Sequence, residues 1–126
     1  VDRLEHVDGG VRITDLKTGQ PASAADAAAN AQLAMYQLAL GAAAAETGGP
    51  PAVGARLVHV SPGRKSPAIR QQAPLDEDGG WARELLETAV EVMRGSDFDA
   101  ALNDSCRHCP VRRSCPALPE GRRICA

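Results

Sequence analysis

Hydrophobic positions first alternate and then recur at helical spacing. Val1 to His6 and Val11 to Leu16 read as two strands around a tight turn at Asp8-Gly9-Gly10. An Asp-Gly pair between such runs supplies the backbone of a two-residue hairpin. Thr18 to Ala29, which holds Gly19 and Pro21, reads as a loop. Asn30 is a good N-cap for a helix that runs to about Glu46, and Gly48-Gly49-Pro50-Pro51 stops it. Val53 to Val60 is a strand rich in Val and Leu, and Ala68 to Ala73 a shorter edge strand. Trp81, Leu85, Leu86, Ala89, Val92 and Met93 form the stripe of a second helix, from Gly80 to Arg94. From Gly95 on the chain reads as a Pro- and Cys-rich loop without repeats. Strand, strand, helix, strand, strand, helix and tail is the order of a mixed α/β layer fold.

Composition thins the expected core. The chain has 126 residues, enough for one domain with a modest interior. Hydrophobic residues are 44% of it, but 23 of them are alanines, and Trp, Tyr and Phe occur once each. The core therefore rests on 11 Leu, 9 Val and 3 Ile, and is suited to lean on a neighbour. An apparent strand is already running at Asp2, so the chain reads as an internal piece of a longer protein. No apolar run approaches the ~20 residues of a membrane helix. No signal peptide is visible, and a cytoplasmic location without membrane partners is expected. A net charge of −2 does not advertise nucleic-acid binding. Charge is uneven, however: Arg107, Arg112, Arg113, Arg122 and Arg123 crowd the last twenty residues against Glu120 alone.

Candidate chemistry begins in the hairpin. With Asp8-Gly9 as the turn, Val7 pairs with Gly10; counting outward, His6 meets Val11, Leu4 meets Ile13, and Asp2 meets Asp15. Lys17, two residues beyond Asp15, shares its face. That face holds Leu4, Val11 and Ile13 near the turn, then Asp2, Asp15 and Lys17 at the far end. The other face, with Arg3, Glu5, Arg12 and Thr14, has a solvent pattern. Moving the turn to Gly9-Gly10 pairs Asp2 with Lys17 and keeps all three on one face, whereas a one-residue bulge breaks the arrangement.

Like charges directly across a sheet repel, and a cation between them reverses that. Hard oxygen ligands at a strand end suit Mg²⁺ or Mn²⁺. Such a metal lowers the pKa of a bound water, while a nearby Lys positions it or stabilises charge forming on phosphate. The spacing equally suits surface ion pairs, Asp2 with Arg3 or Asp15 with Lys17. Gln32 and Tyr36, four apart, share a helix face. They read either as a surface Gln beside a core-edge Tyr or as a platform over the acidic strand end.

Val1-Asp2-Arg3-Leu4-Glu5, Asp15-Leu16-Lys17-Thr18-Gly19 and Gln32-Leu33-Ala34-Met35-Tyr36-Gln37 together resemble the RecB-family nucleases of the PD-(D/E)XK superfamily. The acidic strand, the D-x-K strand and the Q-x-x-x-Y helix occur in the family's order. A D-x-K alone is a weak signal, but the ordered set is fairly specific. It spans roughly Val1 to Val60. The resemblance implies a restriction-endonuclease-like mixed sheet flanked by helices. It also implies that Asp2, Asp15 and the backbone carbonyl of Leu16 are metal ligands, that Lys17 is the catalytic lysine, and that Gln32 and Tyr36 support the site. The family's upstream helix, which commonly carries a metal-binding His, is absent here. The core is thus expected truncated, and weak in metal binding and cleavage by itself.

All four cysteines lie between Cys106 and Cys125. Such clustering suits a local metal site better than dispersed disulfides. Cys106, Cys109 and Cys115 are spaced C-x₂-C-x₅-C, and Cys125 follows after nine more residues. The spacing resembles the iron–sulfur staple of AddB- and AdnB-type helicase-nucleases and of CRISPR-associated RecB-like exonucleases. That resemblance implies a [4Fe–4S] cluster whose fourth cysteine lies far upstream, with Cys125 as a substitute or a free thiol. Zinc on the three cysteines with His108 or Cys125 is the alternative.

The expected organisation is a nuclease core over residues 1–100 and a Cys-rich tail over 101–126. The expected activity is metal-dependent cleavage of DNA within a bacterial helicase-nuclease that processes double-strand break ends. Its partners are DNA, a helicase domain of the same chain and a second helicase-nuclease subunit. The Arg-rich Cys-Pro tail resembles the actinobacterial AdnB-like group in particular. Rival readings are a non-catalytic DNA- or partner-binding domain of the same fold, and an unrelated zinc- or cluster-bearing interaction module.

Overall fold

A computed structural model describes residues 1–61, 65–76, 79–96 and 99–122. The chain separates into two compact units, Val1–Ala89 and Val90–Ala126. The first contains β1 (Arg3–Val7), β2 (Gly10–Lys17), α1 (Ala24–Ala28), α2 (Ala31–Thr47), β3 (Ala52–His59) and β4 (Ala68–Gln72), and α3 (Gly80–Arg94) begins in it. The sheet order is β1-β2-β3-β4. The outer pairs are antiparallel, and β2 and β3 are parallel. Parallel neighbours need a crossover, which α1 and α2 supply.

The hairpin adopts the expected register, with Val7 opposite Gly10, His6 opposite Val11 and Leu4 opposite Ile13. β1 starts at Arg3, so Asp2 sits just before the ladder. A bulge does occur, but in β3: Ala52 opposes Val11 while Ala55 opposes Ile13. Gly54, at φ 112, absorbs it. The alternation of β2 is therefore unbroken, and Asp15 and Lys17 keep the face of Ile13.

That face is the buried one. Ile13, Leu57 and Ala55 pack with Leu33 and Ala27, and Ala22, Tyr36 and Leu40 lie against them. Ile13 and Leu33 are the largest fully buried side chains, each worth about 1.5–3 kcal/mol of burial. Ala27, Ala34, Ala55 and Ala82 fill much of the rest, so the core is as thin as the composition implies. α2 forms as its signals predict. Asn30 Oδ1 accepts from the Leu33 amide at 2.9 Å, and Gly48 ends the helix in the left-handed region at φ 69. α3 also has its predicted bounds, but Trp81, Leu85 and Leu86 on its stripe remain exposed.

Two expectations are corrected. The segment read as a loop from Thr18 to Ala29 contains α1. Ser23 and Asp26 form a capping box: the Asp26 amide donates to Ser23 Oγ at 3.0 Å, and the Ser23 amide to Asp26 Oδ2 at 3.3 Å. A cap followed by alanines suffices for a short helix without an apolar stripe. The second hairpin face is not simply solvated. Thr14 is 3% exposed because Arg56, from β3, lies over it. The Arg56 guanidinium donates to Thr14 Oγ1 at 2.9 Å and to the Glu5 carboxylate at 2.7 and 2.9 Å.

The second unit holds short 3-10 turns at Asp104–His108 and Arg112–Ser114 and one helical turn, α4 (Pro119–Arg122). Among the described residues, no helix is long and apolar enough to cross a membrane.

Candidate functional site

Lys17 is the last residue of β2, and two side chains meet it directly. Its Nζ lies 2.7 Å from Asp15 Oδ2, as an ion pair. It also donates to Gln32 Oε1 at 2.8 Å. Gln32 Nε2 in turn donates to the Tyr36 hydroxyl at 2.7 Å. Gln32 lies in the first turn of α2, directly after the Asn30 cap, and Tyr36 lies one turn further on the same face. Capping by Asn30 is thus the local event that presents both residues to the end of β2.

Asp15 is only 4% exposed, and its Oδ2 is buried with no aligned hydrogen bond among the described residues. The Lys17 ammonium at close range is what compensates its charge. The reverse holds as well: the Lys17 pKa is raised above its ordinary value, chiefly by the contact with Asp15. Partial burial opposes that shift, and the charges of Asp15, Tyr36 and Asp2 add to it. Lys17 therefore stays cationic through neutral pH.

Asp2 is exposed, but it reaches the same strand end. Its Oδ2 accepts from the Leu16 amide at 2.6 Å. This bond continues the pairing of β1 with β2 by one side chain, past the end of the ladder. Asp2 is thereby tied, through the Leu16 amide, to the backbone between Asp15 and Lys17. The five residues singled out in the sequence, Asp2, Asp15, Lys17, Gln32 and Tyr36, lie in one connected set.

The donor set is two carboxylates and a backbone carbonyl, all hard oxygens. Oxygens of this kind suit a divalent cation such as Mg²⁺ or Mn²⁺, which completes its shell with water or phosphate oxygen, and Asp15 Oδ2 would be shared with the Lys17 ammonium 2.7 Å away. Among the described residues, no three His, Cys, Asp or Glu side chains cluster as a closed metal site.

Several side chains around the site have no sequence motif. Gln37 and Gln72 are buried, at 3% and 5% exposure. Gln37 Nε2 donates to Gln72 Oε1 at 2.9 Å and to the Ala73 carbonyl at 3.1 Å. Gln72 Nε2 donates to the carbonyls of Ala28 and Asn30 at 3.0 Å and of Ala27 at 3.3 Å. Edge strand β4 is thereby bonded to the corner between α1 and α2. Nearby, the segment after Lys17 is held by His59, Ser61 and Arg70. For His59, Arg70 and Gln72 the sequence signal is a polar residue at an inward position of β3 or β4.

In the second unit, Cys106, Cys109 and Cys115 are half-buried thiols without disulfides. All three line one pocket of about 380 Å³. The Asn103 amide donates to Cys106 Sγ at 3.2 Å, and the Cys109 amide to the Cys106 carbonyl at 3.3 Å. Cys125 lies outside the described residues.

Comparison with known proteins supplies a family. The profile of the PD-(D/E)XK nuclease superfamily matches residues 1–116. That span includes the whole mixed sheet, its helices and the three described cysteines, and the fold is restriction-endonuclease-like. No curated protein matches the chain.

Proposed function

The chain belongs to the PD-(D/E)XK nuclease superfamily, and from that premise we propose that it hydrolyses DNA phosphodiester bonds with a divalent cation, Mg²⁺ or Mn²⁺. Asp2, Asp15 and the Leu16 carbonyl would hold the cation. When bound, it supplies an activated water and a polarised phosphate. In the reaction the water oxygen bonds to phosphorus and the bond to the leaving deoxyribose oxygen breaks. The water loses a proton to solvent, and the leaving oxygen gains one.

The chain's own part is mostly positioning and charge. Lys17, cationic at neutral pH, faces the negative charge that grows on the phosphate oxygens. Gln32 restricts the ammonium to one direction, and Tyr36 restricts Gln32. The observation that carries the reading is the Asp15–Lys17–Gln32 contact, which joins the D-x-K strand to the helix motif.

Further, the reading extends to the nuclease domain of a helicase-nuclease that processes double-strand break ends. DNA, a helicase domain of the same chain and a second helicase-nuclease subunit are its partners. Residues 1–100 form the core in this reading and 101–126 the tail. Cys106, Cys109 and Cys115 would hold a [4Fe–4S] cluster with a fourth thiolate, and zinc is the competing occupant. The amide that donates to Cys106 Sγ supports this, since N–H···S bonds favour thiolate ligands, although the three thiols do not gather into a metal-holding group among the described residues.

Asp15→Ala and Lys17→Ala in the intact protein should abolish cleavage of linear DNA and leave ATP hydrolysis unchanged. Unchanged cleavage in either variant would sink the nuclease reading. Iron and sulfide content, with absorbance near ~400 nm, tests the tail. Zinc without iron refutes the cluster.

A further inference from the structure

We infer that His59 is a positioning residue for this site, acting through the segment that joins Lys17 to α1; the inference rests on the nuclease reading for its kinetic consequence. His59 ends β3 and stands opposite Lys17, the last residue of β2. It is 3% exposed, on the same face as Ala55 and Leu57. Those neighbours are apolar and need nothing from the backbone. His59 differs: its Nε2 accepts from the Ala22 amide at 3.3 Å. Nε2 is thus the accepting nitrogen of the ring in this contact. Nδ1 is buried and has no hydrogen-bond partner among the described residues. A buried polar nitrogen without a partner is unfavourable. An apolar side chain would pack here without that cost, so the bond to Ala22 is the reason for a histidine.

Ala22 is held on both sides. Arg70 Nε, from β4, donates to its carbonyl at 3.0 Å. Ser61 Oγ holds the same segment at the Gly19 carbonyl, at 2.9 Å. The Val60 amide donates to the Lys17 carbonyl at 2.8 Å, so the residue after His59 ties down the segment's other end. Ser23, next to Ala22, caps α1, and the Asn30 amide bonds back to the Ala27 carbonyl at 3.2 Å as α2 begins. Gln32 follows ten residues after Ala22, along a path bonded at nearly every step. The position of Ala22 is thereby carried to the amide that meets Lys17 Nζ. His59 thus sets where Gln32 stands without touching it.

The test compares His59→Leu, which fills the space without an acceptor, with His59→Gln, which restores an acceptor near the Nε2 position. In the full chain, the Gln32 side-chain amide resonances should shift and broaden in His59→Leu and keep their wild-type positions in His59→Gln. In cleavage assays on the intact protein, His59→Leu should lower kcat roughly 10- to 100-fold, the scale of a small misplacement near the chemistry. KM for DNA should stay within about twofold and His59→Gln should recover most of the rate. Unmoved Gln32 resonances in His59→Leu, or equal effects of the two variants, overturns the inference. If His59→Leu does not fold, Arg70→Met removes the other grip on Ala22 and must move the same resonances; if they stay, the inference fails. A wild-type protein that never cuts DNA refutes the nuclease reading instead, and the resonances still decide the role of His59.

Discussion

Replacing Gln72 by Met keeps the side-chain length and removes every polar atom from the amide. In the wild type its Nε2 serves the carbonyls of Ala27, Ala28 and Asn30, and its Oε1 accepts from Gln37. Two of those carbonyls keep another donor: Ala27 retains the Asn30 amide at 3.2 Å and Asn30 retains the Ala34 amide at 3.1 Å. Gln37 Nε2 retains the Ala73 carbonyl at 3.1 Å. Only the Ala28 carbonyl is left without another donor among the described residues, and Ala28 is exposed, so water replaces much of that bond. Its loss costs about 0.5–1 kcal/mol and the lost Gln37 bond about 1 kcal/mol. Apolar burial of the new thioether offsets roughly 0.5–1 kcal/mol of that. The net expectation is a loss of about 1 kcal/mol, or a fall in Tm of roughly 4–8 °C for a unit of this size. Urea titration followed by circular dichroism reads the change as a lower midpoint at constant slope. A loss under about 0.5 kcal/mol would mean that the buried amide pair contributes nothing beyond its volume.

Three further outcomes follow from the same geometry. Arg56→Met leaves Glu5, half-buried on the back of the sheet, with Arg3 as its remaining cation at 3.3 Å; it should cost about 1–3 kcal/mol in denaturant midpoint, and Glu5→Gln in the same background should recover part of that. The raised Lys17 pKa gives a pH signature. A cation held above its ordinary value of 10.5 contributes stability that is full below that value and fades as pH rises through the folded one. The stability difference between wild type and Lys17→Met should therefore be flat from neutral pH to about 10 and shrink beyond; a difference that changes between pH 6 and 8 contradicts the ion pair. Saturating Mg²⁺ or Mn²⁺ should raise the wild-type Tm, by the equivalent of about 2.7 kcal/mol at a hundred times Kd, and leave Asp15→Ala unmoved; equal shifts in both would place the cation elsewhere.

The legible parts of the fold are those that local rules decide. Asp8-Gly9 dictates a two-residue turn, the turn dictates register, and register puts Asp15 and Lys17 on the face of Ile13. Asn30 and Gly48 bracket α2 by cap chemistry alone. What escaped has partners far away in sequence. Gln72 serves carbonyls more than forty residues upstream, and His59 an amide 37 residues away. Neither pairing leaves a spacing to read. Thr14 looked solvated because its alternation is polar, and only the arrival of Arg56 from β3 buries it. α1 is hard to read for a different reason. Its alanines have no period, but Ser23-Ala24-Ala25-Asp26 is a capping-box signature that was there to be found.

The contact between Lys17 and Gln32 also has a direction. An ammonium can only donate, so the Gln32 amide must turn its oxygen toward Lys17 and its nitrogen toward Tyr36. The tyrosine oxygen is then obliged to accept, which leaves its one hydrogen for a different acceptor. The charge on one lysine thus orders three polar groups head to tail. A neutral or acceptor side chain at position 17 would let the amide turn over and invert the row, so substitutions of Lys17 change what Tyr36 offers as well as removing a cation.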